Sequence, residues 1–315
     1  MIAERPERRA ATRVARRSRR IGPVARRRER WFYLLIAPWL VGLVVFKGGP
    51  LLAVVGMSLA EWDLAEPARF GGLENLTALA RDPLFARSLV NTAYYAAGLV
   101  PLGLAIGLAL ALLLHRPRRG VRVFRTLVFL PAVLSGVATA LLWSWVFNPR
   151  FGLVNGLLAA LDVRGPGRLH SEAWAMPTLI LLGLWGVGVN MVVYLAALEA
   201  VPRELHEAAQ LDGAGPWRRF RHVTWPLVSP TTFYLGVVNL IGAFQVFTPT
   251  YVLTGGGPNN ATLTLPLYLY QSAFTHGRFG YGAALAVALL AFVALLTLGQ
   301  FRLFERRVFY LREGT

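Results

Sequence analysis

Long stretches without charged residues constrain this chain more than any other feature of its sequence. About 20 apolar residues are needed to cross the hydrocarbon core of a bilayer. Only 16% of the 315 residues are charged, against roughly 25% in soluble domains. The sequence therefore predicts an all-α integral membrane protein. Its six predicted transmembrane helices are 31–60, 88–114, 126–149, 173–200, 226–251 and 279–301.

Two of these stretches are irregular. Lys47-Gly48-Gly49-Pro50 interrupts the first one, but neither side alone is long enough to cross a bilayer, so one long tilted or kinked helix is predicted. The apolar run that holds the fifth helix continues as far as Gly277. Its middle, LTGGGPNNATLTLP at 253–266, has the glycine, proline and asparagine content of a loop, which leaves 267–277 as a short helix or a re-entrant segment.

The distribution of arginine sets the predicted orientation. Residues 1–30 and the segments after the second, fourth and sixth helices hold 25 of the 33 basic residues. The positive-inside rule places that side, and with it both termini, in the cytoplasm. Residues 1–30 are predicted to be a disordered basic tail on anionic headgroups, 31–307 the membrane domain and 308–315 a C-terminal tail. The basic tail lacks the aromatic and glycine motifs of a nucleic-acid module, so no nucleic-acid partner is expected.

Side chains suited to catalysis or metal binding are scarce. There is no cysteine, the five histidines lie scattered over predicted loops, and apart from Lys47 at the interruption of the first span no acid or base sits in the middle of a predicted span. The glycine clusters lack the Lys-Ser/Thr of a phosphate-binding loop. We therefore expect no metal site, no catalytic residue and no cofactor bound by this chain, and an intramembrane transferase is the disfavoured alternative.

One charged segment, VPRELHEAAQLDGAGPWRRFRHVTWP at 201–226, separates the fourth and fifth predicted helices. Pro202 suits the start of a helix, and the turn residues of 212–216 end that helix. A second short helix is predicted at 217–223, with Pro226 opening the fifth span. The small apolar stripe of the first helix consists of Leu205, Ala208, Ala209 and Leu211.

This segment resembles the EAA loop of binding-protein-dependent ABC importer permeases, whose pattern is Glu-Ala-Ala, three residues, Gly, nine residues, Ile, any residue and Leu-Pro. Val223 stands in place of the Ile, Trp225 replaces the Leu, and Pro226 is in register. The resemblance implies that the loop docks on a separate ATPase subunit, which binds ATP and magnesium. The residues implied in this coupling are Glu207, Ala208, Ala209, Asp212 and Gly213.

Other motifs resemble the carbohydrate importers of that family: SLAEWD at 58–63, FGGLEN at 70–75, Asn91-Thr92 and YVLTGGGP at 251–258. The resemblance implies a type I ABC importer permease fold in the bacterial inner (plasma) membrane. It also implies three partners: a second homologous permease subunit, an ABC ATPase dimer and an extracytoplasmic solute-binding protein. The implied cargo is a sugar or oligosaccharide, with glycerol-3-phosphate or a polyol as the alternative. Importers of polyamines or phosphate are disfavoured, because the fourth and fifth spans lack acids and arginines at membrane depth.

Polar and small residues of the fourth and fifth spans are candidates for the solute path, since polar groups inside a membrane face a cavity or another helix. Amides and an aromatic ring suit the hydroxyls and the C–H face of a sugar. Asn239 and Gln245 lie about 240° apart on an ideal helix, so both reach one path only if the fifth span is distorted. The alternative for each polar residue is a hydrogen bond between helices. The candidates are Trp185, Gly186, Asn190, Asn239, Gly242, Ala243, Gln245 and Val246.

Gly103 and Gly107 in the second predicted span have the spacing that lets two membrane helices approach closely. Because the chain contains 31 glycines, chance is a fair alternative explanation of this pair.

Overall fold

The structure is a computed structural model that describes residues 23–63, 65–161 and 167–304. The predictions for residues 1–22 and 308–315 lie outside the described residues. The chain begins with helix α1 (Pro23–Leu43), a π-helical turn (Val44–Gly48), helix α2 (Gly49–Ser58) and an antiparallel hairpin of β1 (Ala60–Glu61) and β2 (Arg69–Phe70). There follow α3 (Glu74–Arg81), α4 (Pro83–Leu114), α5 (Val121–Phe129), a 3-10 turn (Leu130–Val133), α6 (Gly136–Val146) and α7 (Leu153–Ala159).

The remaining elements come after the second gap in the described residues. They are a 3-10 turn (Arg168–His170), α8 (Glu172–Leu184), α9 (Gly188–Glu199), α10 (Arg203–Leu211), α11 (Pro216–Arg219), a π-helical turn (Phe220–Thr224) and α12 (Trp225–Phe244). The last are a π-helical turn (Thr250–Thr254), α13 (Leu265–Tyr270), a π-helical turn (Gln271–Thr275) and α14 (Phe279–Phe304). The segment 267–277 is thus helical over most of its length, which agrees with the short helix that was one of its two predicted forms.

Four helical stretches of the described chain are long and apolar enough to cross a membrane, and two bent helix pairs bring the number to six if each pair counts as one span. The four are Trp31–Ser58, Pro83–Leu114, Pro216–Phe244 and Phe279–Leu303. The predicted all-α membrane fold is confirmed. The first stretch is one continuous helical run, and its irregularity is the π-helical turn at Val44–Gly48, where the Lys-Gly-Gly-Pro interruption lies.

The predicted boundary between the basic tail and the first helix is wrong, because α1 begins earlier than residue 31. Residues 23–30, predicted to belong to a disordered tail, are helical. Pro23 is the first residue of the helix, a position that proline favours because its missing N–H has no partner there in any case. Arginine, which follows repeatedly, is also a good helix former. A first compact unit ends at Ala53 and a second begins at Val54; all features described below belong to the second.

The third and fourth predicted spans are not straight helices. The run 126–149 turns by 102° between α5 with its 3-10 turn and α6, and 173–200 bends by 44° between α8 and α9. Leu134 takes an extended conformation (φ −72°, ψ 145°) and Ser135 likewise leaves the helical region (φ −59°, ψ 134°), which breaks the ladder of backbone hydrogen bonds. A continuous apolar run therefore fixes burial in lipid but not the direction of the chain.

The fifth predicted span needs two corrections. Helix α12 ends at Phe244, seven residues before the predicted end, because Gln245 leaves the helical conformation. At its other end there is no separate helix 217–223, since α11 runs through the π-helical turn into α12 as one stretch from Pro216 to Phe244. Trp225 N–H donates to Phe220 O across that turn. Pro226, which has no N–H, is accommodated where the hydrogen-bond register already shifts.

Helix α4 lies at the centre of the second unit. Its buried face packs against α8 and α9, and α12 lies beside it. Asp82 caps its first turn, because Asp82 Oδ1 accepts from Leu84 N–H (2.8 Å) and Pro83 occupies the first helical position. Asp82 Oδ2 also accepts hydrogen bonds from the hydroxyls of Tyr268 and Tyr281. One carboxylate therefore joins α4, α13 and α14 at this end of the bundle.

The Asn91-Thr92 motif contacts the loop that follows the motif at 251–258. Asn91 Nδ2 donates to the carbonyls of Asn260 (2.7 Å) and Leu263 (3.0 Å), and Leu265 N–H donates to Thr92 Oγ1 (2.8 Å). The Asn-Thr pair of α4 therefore holds the loop that follows the glycine-proline motif. These polar side chains are buried and satisfied, which makes their role architectural.

Candidate functional site

The 201–226 segment contains a helix, a turn and the start of a second helix. Helix α10 ends at Leu211, and Gly213 has φ +75°, a conformation that favours glycine. Ala214 N–H donates to Ala209 O (2.9 Å), which closes the turn on the helix end. The predicted first helix and its glycine turn are thus present. Of the residues predicted to couple to an ATPase, Glu207, Ala208, Asp212 and Gly213 are exposed and Ala209 is half-buried.

Large apolar side chains are also exposed on this segment. Leu211 is 90% exposed, Trp217 69% and Leu205 41%. The Trp217 ring stacks on Phe220, with ring centroids 5.5 Å apart, so its position is fixed. Exposed leucine and tryptophan outside a bilayer are typical of a surface that another protein covers. Between these apolar side chains lie the exposed Glu207 and Ala208, and the small side chain of Ala208 lets another protein approach the helix closely.

Arg125 anchors the base of this segment, a role that sequence reasoning missed. Its Nη2 and Nε donate to Leu114 O, the last carbonyl of α4, at 2.7 and 3.2 Å. Its Nη1 lies 3.8 Å from Glu199 Oε1 at the end of α9. The side chain thereby ties the ends of two helices to the middle of α5. The available signal was an arginine among predicted helix ends, where unsatisfied carbonyls attract cations.

His206 is the titratable group of α10 with a perturbed pKa. Burial is the largest cause that lowers the pKa of His206, and the positive charges of Arg219 and His115 lower it further. The imidazole is therefore neutral at neutral pH. The charge that α10 presents at its exposed surface then comes from Arg203, Glu204 and Glu207.

Two asparagines predicted to line a solute path bond to each other. Asn239 Nδ2 on α12 donates to Asn190 Oδ1 on α9 (3.0 Å) and to Leu235 O one turn earlier (2.7 Å). Asn190 is 6% exposed and Asn239 half-buried. The alternative interpretation, a hydrogen bond between helices, therefore holds for this pair, and Asn190 has little surface left for a solute.

Glycines of α4 make room for Asn190. A Cβ on Gly107 would lie 2.7 Å from Asn190 Cβ, and one on Gly103 would lie 3.5 Å from Asn190 Nδ2. The predicted close contact of this glycine pair is present, and its partner is α9. Helices α4, α9 and α12 thus meet at this polar point, and a second hydrogen bond, from Tyr194 Oη to Thr232 Oγ1 (3.2 Å), also joins α9 to α12.

The other path candidates divide between surface and core. Gly242 and Gln245 are exposed at the end of α12, Gly186 is exposed, and Trp185 is half-buried in the bend between α8 and α9. By contrast, Ala243 (2% exposed) and Val246 (8%) pack in the core beside α4 and α8. Their expected place on a solute-lining face is therefore corrected. Because α12 ends at Phe244, the angle of an ideal helix between Asn239 and Gln245 does not apply in the structure.

An aromatic pair supports Trp185. The ring of Trp143 on α6 meets Trp185 edge to face at 5.4 Å and stacks on Phe147 at 5.0 Å. Sequence reasoning missed Trp143, because only the bend of 102° after α5 brings α6 to this position. Among the described residues, no group of three acidic, histidine or cysteine side chains could hold a metal ion.

Comparison with known proteins gives a consistent result over most of the chain. The family described as "Binding-protein-dependent transport system inner membrane component" matches residues 103–310. The chain is 38% identical to the "Probable ABC transporter permease protein YurN" of Bacillus subtilis over 279 residues, which cover 87% of this chain and 95% of the relative. It is 37% identical to the sn-glycerol-3-phosphate transport system permease protein UgpA of Yersinia enterocolitica, over 88% of this chain and 95% of the relative.

A solved structure shares the fold. A chain from the crystal structure of a bacterial ABC transporter involved in the import of the acidic polysaccharide alginate superposes with a TM-score of 0.79 and 23% identity, covering 89% of this chain and 96% of that one. Another structure of an alginate ABC transporter, in complex with an alginate pentasaccharide-bound periplasmic protein, gives a TM-score of 0.78 at 22% identity. At these identities the likeness is one of fold.

Proposed function

This chain belongs to the family of binding-protein-dependent transport system inner membrane components, and we propose that it forms half of the path by which an ATP-driven importer carries a sugar or oligosaccharide across the membrane. The chain is a membrane permease subunit of an ABC transporter and not an enzyme. The substrate class, the partner contacts and the residues that carry them belong to the proposal.

The observation that carries the proposal is the continuity of one helix. From Pro216 in the charged segment to Phe244 beside the path candidates, 29 residues form a single helical stretch. At 1.5 Å per residue this stretch is about 43 Å long. A helix transmits an axial or tilting displacement along its length, whereas a loop absorbs it. A displacement imposed at Trp217 would therefore reach Gly242 and Gln245.

The turn at Gly213 and the surface proposed to contact the ATPase lie beside the N-terminal end of that helix. Helix α10 offers Glu207, Ala208 and Ala209 to an ATPase subunit, and the exposed Leu211 and the nearby Trp217 extend this surface. Gly213 makes the turn between α10 and α11. ATP and magnesium bind to the ATPase partner, whose closure would push α10 and, through the turn, the long helix. By the arginine distribution this face is cytoplasmic.

The far end of the helix is where solute would pass. The amide of Gln245, the ring of Trp185 and the bare backbone at Gly186 and Gly242 offer hydrogen bonds and an apolar face to a polyhydroxylated solute. The Asn190–Asn239 bond holds α9 and α12 together, so that both borders of the path move as one body. A second, homologous permease subunit would supply the other half, and an extracytoplasmic binding protein would deliver the solute.

Glycerol-3-phosphate is the second candidate, because several relatives, at 36–37% identity, are permeases of sn-glycerol-3-phosphate transport systems. Helix α12 and the bend of α8 and α9 contain no basic residue. A phosphate dianion inside the membrane needs a countercharge, which the partner subunit would have to provide. A neutral sugar needs none, and this favours the first candidate.

The test uses the complete importer reconstituted with its ATPase and binding protein. We expect Glu207→Lys to abolish the stimulation of ATP hydrolysis by solute-loaded binding protein, while basal folding and assembly persist. Glu204→Lys, the same charge reversal on the same helix outside the motif, serves as the matched control and should retain most of the stimulation. Undiminished stimulation in Glu207→Lys would refute the role of the segment. Comparing neutral sugars with glycerol-3-phosphate in the same assay separates the two solute classes.

A further inference from the structure

A polar cavity lies at the end of the bundle far from α10. It has a volume of about 300 Å³, opens to the surface, and is bordered by the β1–β2 hairpin and the start of α14, with Glu61, Trp62, Asp63 and Arg278 among its lining residues. Tyr281, another lining residue, bonds to Asp82 at the start of α4. The opposite end of α4 connects through Arg125 to the base of the 201–226 segment. The 32 residues of α4 separate the two ends by about 48 Å.

The walls of the cavity are held in place by backbone contacts. Gly280 N–H donates to Trp62 O (3.1 Å), and a Cβ on Gly280 would lie 2.1 Å from Ala60 O, so only glycine permits this approach. Asn75 Nδ2 donates to Ala60 O (2.9 Å) and Ser58 O (3.2 Å). Asp63 Oδ1 accepts the N–H of Ala65 (3.1 Å) and of Glu66 (3.2 Å). A cavity fixed in this way needs little ordering when a ligand enters.

The lining carries both signs of charge and an aromatic ring. Glu61 and Asp63 are acceptors, whereas the Arg278 guanidinium is a donor whose carbon lies 4.6 Å above the Tyr281 ring. Within the described residues, Arg278 has no carboxylate at ion-pair distance. The Trp62 ring packs on Phe279, with centroids 5.8 Å apart.

This mixture excludes simple ions and suits a neutral polyhydroxylated molecule. Two further lining residues, Glu66 and Arg69, form an ion pair with each other at 2.9 Å. Of the remaining charges, Arg278 would repel a cation, and Glu61 and Asp63 would repel an anion. Each sugar hydroxyl both donates and accepts, so neighbouring hydroxyls can donate to a carboxylate and accept from a guanidinium. A volume of about 300 Å³ is at the lower limit for small-molecule sites and fits one sugar ring more readily than a chain of rings.

We propose that this cavity is an extracytoplasmic binding site for one ring of a neutral sugar, separate from the path at Trp185 and Gln245. The sugar class and the side of the membrane rest on the function proposed above. The site would receive a sugar before the path does, with Trp62 against the C–H face of the ring. Glu61 and Asp63 would accept from hydroxyls and Arg278 would donate to them.

The experiment measures direct binding to the importer in nanodiscs, without binding protein and without ATP. The probes are glucose, galactose, mannose and xylose, observed by saturation-transfer difference NMR. Trp62→Leu should sharply reduce the transfer to the sugar C–H protons, while any transfer from the path at Trp185 and Gln245 remains. Trp174→Leu, which changes a tryptophan that is 51% exposed elsewhere, should leave that transfer unchanged.

A second variant guards against loss of folding. The hydrogen bond and the negative charge of Glu61 raise the pKa of Glu74, so Glu61→Gln relieves a repulsion between two carboxyls and should not unfold the protein. Replacing a charged acceptor by a neutral one should weaken sugar binding about five-fold. Asp63→Asn keeps the Oδ1 that accepts from the hairpin and should weaken binding similarly.

Each outcome decides the proposal. Sharply reduced transfer in Trp62→Leu with weaker binding in Glu61→Gln and Asp63→Asn supports it. No transfer in the unchanged protein overturns it, as does equal transfer in all variants. Failure of the function proposed above is recognised separately, because it would appear as no stimulation of ATP hydrolysis by any sugar-loaded binding protein.

Discussion

The Asn190–Asn239 bond offers the sharpest test of how α9 and α12 are held together. Leucine is close to asparagine in shape, so Asn239→Leu and Asn190→Leu remove the bond with little change in volume. Asn239→Leu leaves Asn190 Oδ1 buried without its donor, since Asn190 is 6% exposed. Asn190→Leu leaves Asn239 Nδ2 with a second acceptor, Leu235 O at 2.7 Å. The two single variants should therefore differ in cost.

The expected magnitudes follow from that asymmetry. A buried polar atom left without a partner costs about 1–3 kcal/mol, and bonds between membrane helices contribute about 0.6 kcal/mol on average and at most about 1.7. We expect Asn239→Leu to lower the free energy of unfolding by about 1.5 kcal/mol and Asn190→Leu by about 0.5–1 kcal/mol. The double variant should cost about as much as Asn239→Leu alone, which gives a coupling energy of about 0.5–1 kcal/mol.

The assay is reversible unfolding of the permease in mixed detergent micelles, combined with the dependence of transport on solute concentration. If the two single effects simply add, with a coupling below about 0.3 kcal/mol, the two side chains do not interact and the structural reasoning fails. The double variant could instead be stable while the solute concentration for half-maximal transport rises about tenfold. In that case the asparagines contact the solute and do not bond only to each other. We expect half-saturation to change little.

Three further substitutions have matched controls or a defined pH dependence. Gly107→Ala should destabilise the protein by about 1–3 kcal/mol, because its Cβ would lie 2.7 Å from a Cβ of α9, whereas Gly103→Ala, with 3.5 Å available, should be tolerated in thermal unfolding. Gly213→Ala should cost about 1 kcal/mol through its φ of +75° and reduce stimulated ATP hydrolysis, whereas Gly215→Ala, at φ −64°, should not. The pKa of Asp82 lies below its usual range, because hydrogen bonds from two tyrosine hydroxyls and two backbone N–H groups outweigh burial, which acts in the opposite direction. Its contribution to stability is therefore complete above the ordinary aspartate pKa near 3.9 and lost as pH falls below it, and Asp82→Asn should flatten that acid-side loss in unfolding measured against pH.

The sequence was sufficient for those features that depend on composition or on one local residue. Lipid burial of the helices follows from the absence of charge, and the turn after α10 follows from Gly213 and its neighbours. The spacing of Gly103 and Gly107 indicated a close helix contact on α4, although it did not identify α9 as the partner. In each case the physical cause lies within a few residues of its effect.

Features that depend on the direction of the chain could not be predicted in this way. The apolar run 126–149 looks like one span, yet it turns by 102°. Composition does not reveal the turn, because apolar side chains can be buried in lipid whether the chain is straight or bent. Pro226 suggested a helix start, but a π-helical turn before it lets the helix pass through. Ala243 and Val246 looked suited to a solute path, although residues of that size pack equally well in a core.

Whether the 201–226 segment is a cytoplasmic contact for an ATPase can be measured most directly with a single cysteine. The sequence contains no cysteine, so Ala208→Cys is a unique thiol, and Ala68→Cys in the hairpin provides the exposed control for the opposite side. We predict that Ala208→Cys cross-links to the ATPase subunit and reacts with a membrane-impermeant maleimide only in inside-out vesicles, whereas Ala68→Cys reacts in intact cells. Labelling of Ala208→Cys from outside intact cells, or the absence of any ATPase adduct, would contradict the account.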